Sequence, residues 1–228
     1  MITREQIREY MYGLGLCRVG FTHAGPFDRL ERVLEERRAL GYLSGFEKGT
    51  VKERCRPGEC FGWVRSIISA AYPYRLYRES QGDCLKGTVS LSDRRTVPLS
   101  ALSLCESQGD GLRGTISGSA VGEDYHRLLG EKLRQAAVFI SQRAEGFRYE
   151  IMVDTGPLAD REVACRSGVG WFGKNCCIIT PSFGSAVVLG EILTNLELEP
   201  DPPIEGDCGE CARCIESCPT GALVAPYT

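Results

Sequence analysis

Near its C-terminal end the chain reads Cys208-Gly-Glu-Cys211-Ala-Arg-Cys214-Ile-Glu-Ser-Cys218-Pro219, a C-x2-C-x2-C-x3-C-P run. No other stretch constrains the fold so tightly. Three thiolates at this spacing can close on one face of a small cubane, and a fourth, followed by proline, points away from it. In the bacterial ferredoxin pattern the first three hold one 4Fe–4S cluster and the fourth ligates a second. Zinc is the alternative, but zinc sites usually pair two C-x2-C units across a longer loop.

Twelve cysteines in 228 residues is a high count, and the eight outside the motif (Cys17, Cys55, Cys60, Cys84, Cys105, Cys165, Cys176 and Cys177) show no framework spacing. The first residues, Met1-Ile-Thr-Arg-Glu-Gln-Ile-Arg-Glu, are too charged for a signal peptide. No apolar run is long enough to span a bilayer. Iron–sulfur spacing without an export signal points to a reducing cytoplasm and no membrane partner. The net charge of -3 gives no global basic signature, so a nucleic-acid partner needs a local patch.

Hydrophobic periodicity predicts the remaining elements. Residues 3–14 form an amphipathic helix on Ile7, Tyr10, Met11 and Leu14, and residues 17–21 a strand. Phe27, Leu30, Val33, Leu34 and Leu40 mark one stripe of a second helix that ends at Gly41. Residues 66–74 are a buried strand. From Asp124, a carboxylate in the first turn, a helix runs with Tyr125, Leu128, Leu129, Leu133, Ala136, Ala137 and Ile140 on one face. A strand over 147–153 ends at Asp154, a short helix falls within 157–167, and strands follow at 176–180 and 186–193. Between them lies a glycine-rich stretch, Gly168-Val-Gly170-Trp-Phe-Gly173-Lys174-Asn175. Residues 196–206 are an acidic, proline-rich linker. The fold class is α/β (α+β), with the cysteine module appended.

Residues 79–90 return as residues 106–117, displaced by 27 positions. Two copies are too few for a solenoid. A local duplication is the simpler reading, since added loop length costs little closure entropy, and an exposed excursion is expected there.

Asp154 at a strand end can face a cavity, where desolvation would suit it to acid catalysis. It can equally cap the turn through an Asx bond. The glycine-rich loop allows main-chain amides to approach an anion or a flat cofactor, or else packs as a turn. His126 at a helix start and His23 in a loop carry little signal alone. Cys176 and Cys177 would point to opposite faces of a strand, placing at least one in the core. Cys55 and Cys60 flank a turn.

Taken in order, these stretches resemble one family, the cobalamin-dependent epoxyqueuosine reductases. The resemblance rests on Arg54-x-x-Pro57; Arg65-Ser-Ile-Ile68 and Pro73-Tyr74; Asp124-Tyr-His126; Asp154-Thr-Gly-Pro157 with Arg161; and Gly168 to Asn175. It continues through Phe183-Gly-Ser185, Leu189-Gly-Glu-Ile-Leu-Thr194, and Cys208 to Leu223. It implies a nitroreductase-like corrinoid-binding domain over 1–195, with 79–117 as an insertion, a linker at 196–206, and a partial ferredoxin-type module over 207–228. The implied reaction reduces the epoxide of epoxyqueuosine at the wobble position of tRNA, the last step of queuosine synthesis. The implied cofactors are cobalamin and 4Fe–4S clusters, with tRNA bearing epoxyqueuosine and a low-potential electron donor as partners. Asp154 matches the proton donor. His126, Arg54, Gly173, Lys174, Asn175 and Ser185 would line the corrinoid pocket, and Cys208, Cys211, Cys214 and Cys218 would be metal ligands.

Several features depart from the family pattern. Asp160 stands where the family has Glu, Cys176-Cys177 replace polar or aliphatic residues, and the second cysteine motif is missing, so the chain resembles a truncated form. A ferredoxin-like electron carrier and a non-catalytic corrinoid-binding remnant are the alternatives.

Overall fold

The structure is a computed structural model and describes residues 2–42, 45–74, 119 and 123–227. The 79–117 repeat lies outside the described residues. Helix α1 (Arg4–Gly13) begins at a capping box, in which Thr3 accepts the Gln6 amide while the Gln6 side chain accepts the Thr3 amide. Its apolar positions Ile7 and Met11 are fully buried. Strand β1 (Arg18–His23) follows, then α2 (Asp28–Ala39), α3 (Val51–Cys55), α4 (Pro57–Phe61) and β2 (Ser66–Pro73). After the undescribed segment come α5 (Tyr125–Ser141), β3 (Tyr149–Met152), α6 (Asp160–Arg166), β4 (Trp171–Phe172), β5 (Ile178–Ile179), β6 (Val187–Thr194) and α7 (Arg213–Glu216).

Four strands make one antiparallel sheet in the order β1-β2-β6-β3. Helices cover both faces. On one side α1 and α5 press Met11, Leu129, Leu133 and Ile140 onto Phe21, Ile68, Ala70 and Ile192. On the other, α6 and the α2–α3 region press Phe27, Cys55, Leu158 and Val163 onto Ile67, Met152 and Leu193. Burial on both faces explains why Ser66-Ile-Ile-Ser-Ala-Ala reads as a continuous run with no alternation. Each fully buried Leu or Ile contributes about 1.5–3 kcal/mol.

Four expectations need correction. Only Phe27, Leu30 and Leu34 of the α2 stripe pack inward; Val33 and Leu40 are 38% and 65% exposed, because α2 meets the core along a narrow ridge. Asp124 is the N-cap of α5 and lies outside its first turn. The strand expected over 176–180 shrinks to Ile178–Ile179, and the glycine-rich stretch supplies its partner, Trp171–Phe172. Neither Cys176 nor Cys177 is core: the first has φ +61°, which removes it from strand geometry, and the second is exposed.

The stretch read as a linker runs against the sheet edge. Leu196 and Leu198 pack on the core, and the Leu198 amide donates to Ser66 Oγ at 2.9 Å. Asp201 accepts from Arg8 at 2.6 Å, from Arg4 at 3.2 Å and from the Phe21 amide at 3.0 Å, while its own amide donates to Phe21 O. A half-buried carboxylate paired with two guanidiniums thus ties this segment to α1 and β1.

Candidate active site

Asp154 leaves β3 with φ +55°, a left-handed conformation that costs a non-glycine residue about 1–2 kcal/mol. Its carboxylate accepts a hydrogen bond from the Tyr125 hydroxyl at 2.6 Å. The His126 ring stacks on Tyr125 with centroids 4.0 Å apart, and its Nε2 lies 3.7 Å from the same Asp154 oxygen. The other ring nitrogen, Nδ1, is 2.8 Å from Asp124 Oδ1, which also accepts the His126 amide at 2.9 Å. A carboxylate only accepts, so Nδ1 carries a proton there and Nε2 faces Asp154. Asp124 therefore does two jobs, capping α5 and orienting the imidazole. Its carboxyl is held below the usual range, first by the His126 side chain. Burial, then the bond to Asp154, pushes the Tyr125 phenol upward.

Asp154 is exposed, and the desolvation expected of it falls on its neighbours. Asp160, at the start of α6, is raised to about 6 by burial, with the negative charge of Asp154 adding to it. Glu191, on β6, is fully buried, and neither of its oxygens has a hydrogen-bond partner among the described residues. Burial pushes it well above the usual carboxylate range, with Asp160 and Asp154 reinforcing the shift. Three carboxyl groups, graded from exposed to buried, thus meet at one end of the sheet. Sequence reasoning missed Tyr125 and Glu191 as members of this group. The signal for Glu191 was a lone acid inside the apolar run Val187–Thr194.

Beside His126 a shallow depression of about 320 Å³ is lined by His126, Gly130, Arg134, Ile151, Val153 and Thr155. It is at the low end for small-molecule sites. A depression of this size and openness does not enclose a ligand as large as a corrinoid. Of the other residues expected to line a pocket, Arg54 is half-buried on α3 and Ser185 is exposed in the turn before β6. Neither is hydrogen-bonded through its side chain to the Asp154 group among the described residues.

Gly173, Lys174 and Asn175 form the turn of the β4–β5 hairpin. The Gly173 amide donates to Cys177 O at 2.8 Å, the Cys176 amide to Gly173 O at 2.9 Å, and the Cys177 amide to Asn175 Oδ1 at 3.1 Å. These three amides are bonded within the hairpin itself. Arg161 of α6 holds it from below through Cys176 O at 2.7 Å. Lys174 reaches the cysteine segment, donating to Gly209 O at 2.7 Å, and its carbonyl accepts the Tyr227 amide at 2.9 Å.

Cys208, Cys211, Cys214 and Cys218 lie on a chain of turns around α7, with the Cys211 amide bonded to Cys208 O at 2.9 Å and the Cys218 amide to Ile215 O at 3.2 Å. Hydrogen bonds from the backbone at Leu223 and from Thr220 draw the Cys218 thiol down to about 7. Among the described residues no three His, Cys, Asp or Glu side chains are gathered as a metal ion would require. The thiols have the chemistry and spacing for iron but do not form a closed site.

Comparison with known proteins adds a second line of information. Residues 54–155 match the family model described as epoxyqueuosine reductase QueG, DUF1730. An epoxyqueuosine reductase from Bacillus subtilis (strain 168) is 40% identical over 225 residues, which is 98% of this chain and 52% of that protein. A crystal structure of an epoxyqueuosine reductase with a tRNA-Tyr epoxyqueuosine-modified stem loop is similar at TM-score 0.76 and 38% identity, over 98% of this chain and 53% of that one. A Bacillus subtilis epoxyqueuosine reductase structure, described as having its catalytic loop swung out of the active site, gives TM-score 0.77 and 37% identity, with 98% and 53% covered. The chain spans about half the length of the curated relatives it matches.

Proposed function

Because the chain is related over almost its whole length to the epoxyqueuosine reductases, we propose that it carries the proton-donating and corrinoid-facing part of such an enzyme. Its substrate would be tRNA bearing epoxyqueuosine, acted on in the cytoplasm with electrons from a low-potential donor. The observation that carries this reading is the bond from the Tyr125 hydroxyl to Asp154 Oδ2 at 2.6 Å, with His126 stacked beside it. An epoxide opens when its leaving oxygen is protonated, and a carboxyl held by a phenol and an imidazole at the rim of a depression suits that task. Residues 1–195 form the nitroreductase-like catalytic unit in this reading, 196–206 connect it, and 207–228 are a partial ferredoxin-type module.

Asp154 gives a proton to the epoxide oxygen as the carbon–oxygen bond breaks. Tyr125 fixes the carboxyl rotamer, and His126, fixed in turn by Asp124, walls the depression against which substrate lies. His126 would contact the corrinoid edge, and Lys174 and Asn175 would shape its border through the hairpin. When bound, a corrinoid held beside His126 would supply the reducing chemistry directed at the epoxide carbon. A second reading is a corrinoid-binding protein without turnover.

Asp154→Asn separates the roles. The variant is expected to bind cobalamin as the parent does, followed by its absorbance, and to lose reduction of an epoxyqueuosine stem loop. An active variant would remove Asp154 as the acid. Cobalamin binding by the parent with no reduction at all would leave the second reading.

A further inference from the structure

His126, Gly130 and Arg134 follow one another at four-residue spacing, so they run down one side of α5. Ile151, Val153 and Thr155 form the facing wall, and the depression of about 320 Å³ lies between the two rows. Gly130 is its floor. A Cβ added there would meet only Arg134 Nη2, at 3.7 Å, so the missing side chain keeps the middle of the slot open and the guanidinium lies across it. The position is a helix interior, where glycine is the least favourable residue after proline. Arg134 is held by one edge: its Nη1 donates to Glu131 Oε2, whereas Nη2 has no hydrogen-bond partner among the described residues. A guanidinium carries five donors in a planar fork, so Arg134 can keep Glu131 and still take an anion from the slot.

The two ends of the slot differ in charge. Asp124 and Asp154 stand at the His126 end and repel an anion there. The Arg134 end accepts one. Eight residues of helix set the ends about 12 Å apart. A reacting group at one end, an anion at the other and the apolar Ile151 and Val153 between them match the outline of a nucleotide. On the reading that Asp154 acts on an epoxide carried by RNA, we propose that the slot seats the ribose and phosphate of the substrate strand. Arg134 binds the phosphate through Nη2, and Gly130 leaves room for the sugar. Arg134 is then a positioning residue, since the seat of the phosphate sets how far the modified base reaches toward Asp154. A cobalamin tail also carries a phosphodiester. The strand is favoured because the slot runs without a break through Val153 and Thr155 to the Asp154 turn.

Binding of an epoxyqueuosine stem loop to the whole chain, followed by fluorescence anisotropy over a range of salt concentrations, tests this. Arg134→Gln is expected to weaken binding about 10-fold at low salt. It should also reduce the slope of log affinity against log salt by about 0.7, the signature of one lost contact to a single-strand phosphate. Gly130→Leu, which fills the floor, is expected to weaken binding while thermal unfolding shows a fold no less stable than the parent. Cobalamin binding by Arg134→Gln, followed by absorbance, should match the parent. An Arg134→Gln chain with unchanged affinity and slope, or a Gly130→Leu chain that binds the stem loop like the parent, overturns the proposal and leaves the reductase reading in place. Weakened cobalamin binding in Arg134→Gln assigns the anion site to the corrinoid tail and overturns the strand. If the parent binds no stem loop, the reductase reading itself fails. Adenosine monophosphate alone then decides the slot: shifts of the His126 ring and Gly130 amide NMR signals that Arg134→Gln abolishes support a nucleotide site, and their absence removes it.

Discussion

At the residue scale, the molecule spends its electrostatic cost on Asp160 and Glu191. Asp160 binds its proton more tightly folded than unfolded, its value rising from 3.8 to about 6. Between those values the folded state holds more protons, so stability falls as pH rises through the window and levels off above it. Asp160→Asn removes this dependence while its amide oxygen still accepts the Asp154 amide. Its stability relative to the parent should therefore improve by on the order of 2–3 kcal/mol between about pH 4 and pH 6.5. Urea denaturation at intervals across that range checks it; a flat or declining difference would mean Asp160 is solvated. The sequence showed Asp154 by its position after an apolar strand. It did not show which neighbour would be desolvated, because burial of Asp160 depends on α6 folding back over β6.

At the scale of elements, α6 is the piece that organises the site, and it seats itself through a missing side chain. A Cβ on Gly20 of β1 would stand 1.9 Å from Ser167 O at the end of α6. Backbone approaches backbone there, so neither side can yield cheaply. Gly20→Ala should destabilise the fold by about 1–3 kcal/mol or more and, by lifting α6, loosen the hairpin held through Arg161. Thermal unfolding and limited proteolysis near Arg161 measure both effects, and a variant as stable as the parent would show that α6 can shift at no cost. The helix was legible in the sequence, whereas its contact with β1 was not, because a glycine inside a strand does not say what approaches it. The hairpin illustrates the converse. Its glycines were compatible with an open cradle or a packed turn, and the fold shows the Gly173, Cys176 and Cys177 amides bonded to Cys177 O, Gly173 O and Asn175 Oδ1.

For the whole molecule, the question is how the sheet layer and the cysteine segment work together. They touch through Lys174 and Gly209, through Tyr227 and Lys174, and through Gly206, where an added Cβ would meet the Trp171 ring at 2.6 Å. The cysteine segment offers three closely spaced thiols and a fourth beyond them, without a closed set. Reconstitution of this chain with iron and sulfide should therefore give a cluster below full occupancy that a mild chelator removes. Iron and sulfide near four per chain, stable to the chelator, would contradict this and require another cysteine to complete the set. No helix among the described residues is long and apolar enough to cross a membrane.

What the sequence determined by itself is local or periodic. The spacing of Cys208 to Pro219, the apolar faces of α1 and α5, and the uninterrupted run of β2 all follow from neighbours within a few residues. Those signals need no knowledge of the fold, because helix turns, strand pleats and chelate loops are set by short-range geometry. Only the tertiary structure decided that Tyr125 and His126 meet Asp154 across 29 and 28 positions of chain. It alone put Asp160 and Glu191 behind them and tied Asp201 to α1. The physical reason is that burial and charge proximity belong to packed surfaces. A carboxyl group's role is fixed by what excludes water from it, and in this protein that is the layer α6 forms over the sheet.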